Sequence, residues 1–340
     1  MSRKKIENQL TTSQKYFAYI NKNLNEIKGS SSGGAFLSIV KIIFSLHENV
    51  VVYGCEMKYK PNIHAEITRS YKYQDCLKFS GSKYIAGDIK NVFKYIDEDV
   101  NNGMYIVISG LPCQLSAIRN YLKIKKYNED RFFFIDLICH GTGNVDFFEN
   151  FVSLLSKKYN SEIIQYKFRD KNQGWKGYPS YVKFINGKEL KNTLILRNFP
   201  ILYLNGYIIR KSCFSCQFSN LNRVGDITLG DCWGIEASEG KIDTKYGVSL
   251  IISNSDKSEQ VLSFISQYGY IKEIAKETVI SNQQNLVNGH KPPKEYDQFW
   301  NLYKNKGIKK VLKKYGSMNV RQFVRFYLKK FAIKFHLYKI

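Results

Sequence analysis

The stretch from Met104 to His140 constrains the fold more than any other part of the chain. Met104-Tyr-Ile-Val-Ile-Ser-Gly110 is an apolar run ending in glycine, and Leu111-Pro112-Cys113-Gln114 opens a helical run to Leu122. Arg131-Phe-Phe-Phe-Ile-Asp-Leu-Ile-Cys-His140 is a second apolar run. Strand, turn, helix and strand at these lengths describe a crossover connection, which sets neighbouring strands parallel. Part of the sheet is therefore expected to be parallel.

The flanking sequence extends this unit. Residues 29–46, GSSSGGAFLSIVKIIFSL, form a Ser/Gly loop feeding an amphipathic helix, and Asn49–Cys55 is a short buried strand. Residues 163–200 carry short alternating runs, with a hairpin signal at Asn186-Gly187, so antiparallel pairing is expected there. Asp226–Gly230 and Val248–Ser253 are further strands, and from about residue 256 the pattern is helical. The expected class is α/β: a mixed, partly parallel sheet with flanking helices and helical N- and C-terminal extensions. The divisions are an N-terminal helical extension (1–27), a core (28–255, split into 28–108 and 109–255) and a basic helical C-terminal region (256–340).

At 340 residues, with 44% hydrophobic and 15% aromatic content, the chain has the material for a large core. Fifty-two Lys and Arg against 29 Asp and Glu give a net charge of +23, which suits an anionic partner or merely a solvated basic coat. No nucleic-acid reading motif accompanies the charge, so nucleic acid is not an expected partner. The opening MSRKKIENQLTTSQKYF lacks the apolar core of a secretory signal, and no apolar run approaches about 18 residues. A cytoplasmic location is expected, where seven cysteines serve metals or chemistry rather than a disulfide framework.

Two features carry chemistry. Ser30, Ser31, Ser32, Gly33 and Gly34 open a helix, where backbone N–H groups and hydroxyls can hold a phosphate or simply cap the helix. Cys113 is expected in the first helical turn, where the helix dipole lowers a thiol pKa, and Cys139 ends the next strand of the same crossover. The ends of neighbouring parallel strands lie side by side, so the two can face one crevice. Cys213 and Cys216 form a CxxC pair, bringing the set to four thiols. A redox dithiol, a structural zinc completed by His140 or Cys232, a disulfide and an iron–sulfur cluster all remain open on spacing alone. Cys55 and Cys76 read as small buried hydrophobes.

Seven segments occur together in one order: SSSGGAF (30–36), GSKYIAG (81–87), SGLPCQLSAIRNYL (109–122), IDLICHG (135–141), FRDKNQGW (168–175), RKSCFSCQF (210–218) and DITLGDCWGI (226–235). In this the chain resembles the beta subunits of coenzyme F420-reducing hydrogenases and F420-linked dehydrogenases, above all bacterial members associated with polysaccharide gene clusters. The resemblance implies an oxidoreductase carrying FAD and a [4Fe–4S] cluster, with coenzyme F420 as a further candidate cofactor. It implies cluster ligands at Cys113, Cys139, Cys213 and Cys216, with Cys232 as an alternative because it stands where the family pattern has an aromatic residue. Ser30, Ser31, Ser32, Gly33, Gly34, Lys83, Tyr84, Gly110 and Gln114 are the implied flavin-binding set. Lys83, Arg169 and Lys171 are the implied catalytic candidates, and Trp175 and Trp233 are candidates to line the pocket. Nothing before Cys55 can ligate a further cluster, so a separate ferredoxin-like carrier is the expected electron partner. The expected substrate is small or glycan-linked. The contrasting reading is a non-redox protein with structural zinc that binds a glycan or a protein.

Residues 301–340 contain twelve Lys and Arg and no acidic residue. Arg321, Arg325 and Lys329 follow i, i+4 spacing beside the apolar Phe323, Val324, Leu328, Phe331 and Phe335. Such a helix packs on the body with its charges in water, or makes peripheral contact with an anionic membrane at the inner face.

Overall fold

The computed structural model describes residues 14–173, 175, 179–236, 244–317, 324 and 326–328. Among the described residues the first elements are β1 (Lys15–Asn21), α1 (Leu24–Gly29) and α2 (Ala35–Leu46). It continues through β2 (Val50–Lys58), β3 (His64–Ser70), β4 (Gly87–Asp88) and α3 (Val92–Asn101). The crossover follows as β5 (Tyr105–Gly110), α4 (Pro112–Lys125) and β6 (Phe132–Leu137). Next come α5 (Val145–Tyr159), β7 (Ile163–Lys167), β8 (Tyr181–Phe184), β9 (Glu189–Lys191) and α6 (Leu194–Leu204). The last part holds β10 (Ile227–Asp231), β11 (Ser249–Ser253), α7 (Asp256–Leu262) and β12 (Gly269–Glu273). The last elements with assigned bounds are α8 (Lys276–Asn282), α9 (Gln284–Val287), α10 (Tyr296–Lys306) and α11 (Ile308–Tyr315) among the described residues.

Among the described residues the larger sheet runs β12-β1-β11-β10-β6-β5-β2-β3-β4. Its centre is parallel, as the crossover requires: β10 pairs with β6, β6 with β5 and β5 with β2, all in parallel register. Alternation in these strands feeds two cores. Val50, Val52, Val107, Phe133 and Ile135 turn to the α2 side, where Ile39, Val40, Ile42 and Ile43 cover them. Val51, Tyr53, Ile106, Ile108, Phe132 and Phe134 turn to the other face, under α3 and α4 through Val92, Ile96, Leu115, Ile118 and Leu122. Each such buried aliphatic or aromatic side chain contributes roughly 1.5–3 kcal/mol over its exposed state. A second lobe packs α5, α6, α10 and α11 around the antiparallel sheet β7-β8-β9, through Phe148, Phe168, Phe199 and neighbouring rings. Its hairpin turns at Asn186-Gly187 as the sequence predicts, with Gly187 at φ +83°.

Two expectations need correcting. The helical extension expected over residues 1–27 contains a strand at Lys15–Asn21, and among the described residues its helix begins at Leu24. β1 lies between β11 and β12, pairing Tyr19 with Ser249 and with Ile271, so its conformation is set by partners far along the chain. The region expected to be helical from 256 is likewise interrupted by β12. The rest of the N-terminal expectation (residues 1–13) and Arg321, Phe323, Arg325, Lys329, Phe331 and Phe335 lie outside the described residues. Val324 and Leu328 are helical and exposed. Among the described residues no helix is long and apolar enough to cross a membrane.

Candidate functional site

Toward the carboxyl ends of the parallel strands lie two adjoining cavities, the position where open α/β sheets bind ligands. The larger, about 750 Å³, is lined by Cys113, Cys139, Cys213 and Cys216. The second, about 320 Å³, is lined by the Ser/Gly loop, Lys83 and Tyr84, with Gly110 and Asp231 at the ends of β5 and β10. Leu111, Gln114, Cys139, His140, Gly141, Thr142 and Asn285 line both and so form the wall between them.

The thiols come from three separate pieces of chain. Pro112 starts α4, which puts Cys113 in its first turn as expected; the residue is exposed at the cavity. Its thiol is nevertheless pushed up from the usual value, by burial of the sulfur's surroundings and by Cys213 and Cys216. The backbone N–H groups of the helix start pull the other way and are outweighed, so the expected lowering is not found. Cys139 follows β6, and burial first, then the other three thiols, pushes it up to about 12. Burial, reinforced by the neighbouring thiols, keeps protons on Cys113 and Cys139, and a bound cation would displace them.

Backbone donors already point at this set. Gly141 N–H donates to Cys139 Sγ (3.3 Å) and Thr142 N–H to Cys213 Sγ (3.5 Å). Gly141 is held at φ +119°, and a Cβ there would stand 2.7 Å from Ile209 Cγ2 and 3.4 Å from Cys213 Cβ, so only glycine lets the loop pass this close. The CxxC segment is a 3-10 turn at Lys211–Ser215 and has its own anchor. Arg223 donates to the carbonyls of Phe218, Asn220 and Leu137 and pairs with Asp136 of β6 at 3.3 Å. Asp136 in turn accepts from Val224 and Gly225 N–H.

The second cavity is built from the loop ahead of α2. Gly33 lies against β1 and β11: a Cβ would overlap the carbonyl of Tyr19 and reach 2.6 Å from Ser249 N, so it sits behind the pocket and not in its lining. Gly34, at φ +85°, is the N-cap residue of α2 and makes no side-chain cap, and Ser30, Ser31 and Ser32 face the cavity. Tyr84 stacks on Tyr203, with centroids 4.6 Å apart. Gln114 spends its amide on structure, accepting from Leu111 N–H (3.1 Å) and donating to the Gly87 carbonyl (3.0 Å).

The three catalytic candidates separate. Lys83 and Arg169 line the second cavity. Arg169 is paired with Asp231 at 2.7 Å, and Asp231 also accepts from Trp175 Nε1 (3.3 Å). Trp175 and Trp233 stack at 4.4 Å beside this pair, and Trp233 reaches the cavity lining. Lys171 lines neither cavity; its ammonium turns back onto main-chain carbonyls. Cys232, the alternative ligand, packs with Tyr16, Val248 and Leu250 and lines neither cavity.

Sequence reasoning did not reach Gln283, Asn285 and His290, which close the cavities from a segment without any recognisable motif. Asn285 Nδ2 lies 3.1 Å from His140 Nδ1, and the His140 and His290 rings stand 4.3 Å apart. Burial first, then His290, depresses the His140 pKa to about 4, so its imidazole is neutral at ordinary pH.

A family model describing the C terminus of the coenzyme F420 hydrogenase/dehydrogenase beta subunit matches residues 103–278, more than half of the chain. The chain belongs to this family. All four cavity thiols fall inside the matched span, whereas the Ser/Gly loop, Lys83 and Tyr84 precede it. Among solved structures, the chain is similar to one from the xenon-derivatised F420-reducing [NiFe] hydrogenase complex of Methanosarcina barkeri. The TM-score is 0.52 at 15% identity, over 80% of this chain and 85% of the other, a likeness that establishes the fold. No curated protein matches the chain. Family membership makes it a hydrogenase/dehydrogenase-like redox protein.

Proposed function

We propose that the chain is an iron–sulfur flavoprotein oxidoreductase that passes electrons between a one-electron carrier and a small or glycan-linked substrate. One observation carries the reading: thiols from three separate segments line one cavity that shares a wall with the Ser/Gly-loop pocket. Cys113, Cys139, Cys213 and Cys216 would hold a [4Fe–4S] cluster, and Ser30–Ser32, Lys83 and Tyr84 would receive FAD. The donor set fits a cubane, which takes four thiolates. Among the described residues no three His, Cys, Asp or Glu side chains converge as ligands of one metal ion. Cubane ligands bind four different irons and need not converge that closely. The second cavity, about 320 Å³, falls within the usual range for small-molecule sites, roughly 300–1,000 Å³.

When bound, the flavin would supply two-electron chemistry and the cluster one-electron transfer. The chain's own groups do the remaining work. Gly141 and Thr142 N–H bonds to sulfur stabilise thiolate charge. Arg169 is neutralised by Asp231 and so shapes the pocket more than it charges it. The exposed Cys113 gives a ferredoxin-like carrier a short approach, and coenzyme F420, named in the family description, is a candidate acceptor. Visible absorbance with iron, sulfide, zinc and flavin analysis of protein prepared without oxygen tests the proposal. About four irons and one flavin per chain are expected; stoichiometric zinc with no flavin would overturn it.

A further inference from the structure

Far from the two cavities, clustered lysines and exposed apolar side chains share one part of the surface. α11 buries Val311, Leu312 and Tyr315 and turns Lys309, Lys310, Lys313 and Lys314 to solvent. These form two like-charged i, i+4 pairs, an arrangement that weakens a helix by itself. Lys304 and Lys306, at the end of α10, are exposed just ahead of them, and no Asp or Glu follows Asp297 in the sequence. Of the nearby acidic groups, Glu295 acts on Lys314 and Asp297 pairs with Lys211.

Beyond α11, Val324, Phe326, Tyr327 and Leu328 are helical. Phe326 is buried, with the guanidinium carbon of Arg197 of α6 standing 5.3 Å from its ring centroid. Val324, Tyr327 and Leu328, at i, i+3 and i+4, are 48, 46 and 63% exposed. A helix that packs on a protein body turns such a stripe inward, and here the stripe faces out. The lysines and the stripe adjoin at α6. A Cβ on Gly316, just after α11, would stand 3.1 Å from Asn198 Cβ, and Asn198 is the next residue after Arg197.

We propose that this surface docks on an anionic lipid bilayer, with Val324, Tyr327 and Leu328 at the headgroup–acyl boundary and the lysines over the headgroup charges. Charge decides the occupant. Lysine is depleted in protein–protein interfaces, whereas an apolar helical stripe beside clustered lysines is what an anionic bilayer attracts. Tyrosine suits the interfacial level, because its ring is apolar and its hydroxyl polar. The sequence extends the same composition, with Arg321, Arg325, Lys329 and Lys330 interleaved with Phe323, Phe331 and Phe335. Each lysine held near such a surface raises the partition coefficient roughly fivefold. The inference is independent of the cluster and flavin reading.

The test is co-sedimentation of the full chain with phosphatidylcholine vesicles, with and without phosphatidylglycerol. Binding is expected only where the anionic lipid is present, and it should weaken as salt is added. Lys309→Gln with Lys313→Gln should lower the partition coefficient roughly 25-fold. Val324→Ser with Leu328→Ser should lower it roughly tenfold or more. All four positions are exposed, so the urea midpoints of both variants should match that of the wild type. No binding to the anionic vesicles overturns the inference. Binding that both variants keep at wild-type strength also overturns it, since the charge of the chain at large would then be responsible. Light scattering that shows self-association lost in Val324→Ser with Leu328→Ser, without vesicle binding by the wild type, would assign the face to a second copy and overturn it as well.

Discussion

Replacing Gly141 by alanine tests how the thiol cavity is put together. At φ +119° an L residue sits in a region essentially reserved for glycine, at a cost of about 1–3 kcal/mol. The new Cβ would also stand 2.7 Å from Ile209 Cγ2 and 3.4 Å from Cys213 Cβ, and overpacking of that kind adds about 1–3 kcal/mol. The sum is about 2–6 kcal/mol, and any shift that relieves it moves Gly141 N–H off Cys139 Sγ or pushes Cys213 aside. Gly187→Ala is the control: its φ is +83°, nothing lies within 4 Å of the added Cβ, and only the conformational cost of about 1–2 kcal/mol applies. Urea unfolding of both variants, with iron content measured on the same samples, reads the two effects. The expected result is a larger stability loss for Gly141→Ala, accompanied by loss of iron that Gly187→Ala does not suffer. Equal stabilities with full iron in both would refute the claim that the loop must pass this close to the thiols.

Two more predictions concern charge. Arg223→Met strands the fully buried Asp136 and frees the loop that carries Cys213 and Cys216; a cost of about 3–5 kcal/mol is expected in urea. Adding Asp136→Asn should cost less than the sum of the two single changes, and strict additivity would show that the pair is not coupled. Lys171 and Lys83 titrate near 7 and near 8 in the folded chain against 10.5 in the unfolded one. The unfolded chain therefore binds more protons from about pH 7 up to about pH 10.5, and these two groups make the stability of flavin-free protein rise across that window. Thermal midpoints should climb with pH there, and less steeply in Lys171→Met; a wild-type midpoint that falls would contradict the assignment.

What the sequence revealed depended on how local the determining forces are. The crossover was legible because buried parallel strands are continuous apolar runs, and its geometry alone was enough to bring Cys113 and Cys139 toward one crevice. The β1 strand was not legible. KYFAYIN alternates weakly, and its conformation is decided by β11 and β12 on either side. Lys171 reads in sequence as a ligand-facing cation because composition cannot tell an ammonium that meets a ligand from one that meets a carbonyl. Cys232 carried an overlooked signal: at the end of β10, Asp231 and Trp233 share the parity that faces the pocket, and Cys232 has the opposite parity. Asn285 and His290 lie in a stretch with neither motif nor strong periodicity, so only the folded chain brings them to the thiols.

Iron bound per chain, measured after anaerobic reconstitution of single Cys→Ser variants, tests the central claim most directly. Cys113, Cys139, Cys213 and Cys216 should each lose most of the cluster when changed, whereas Cys232→Ser should keep the wild-type content of about four irons. Full iron in any of the four, or its loss in Cys232→Ser, would contradict the assignment of the thiol cavity as the cluster site.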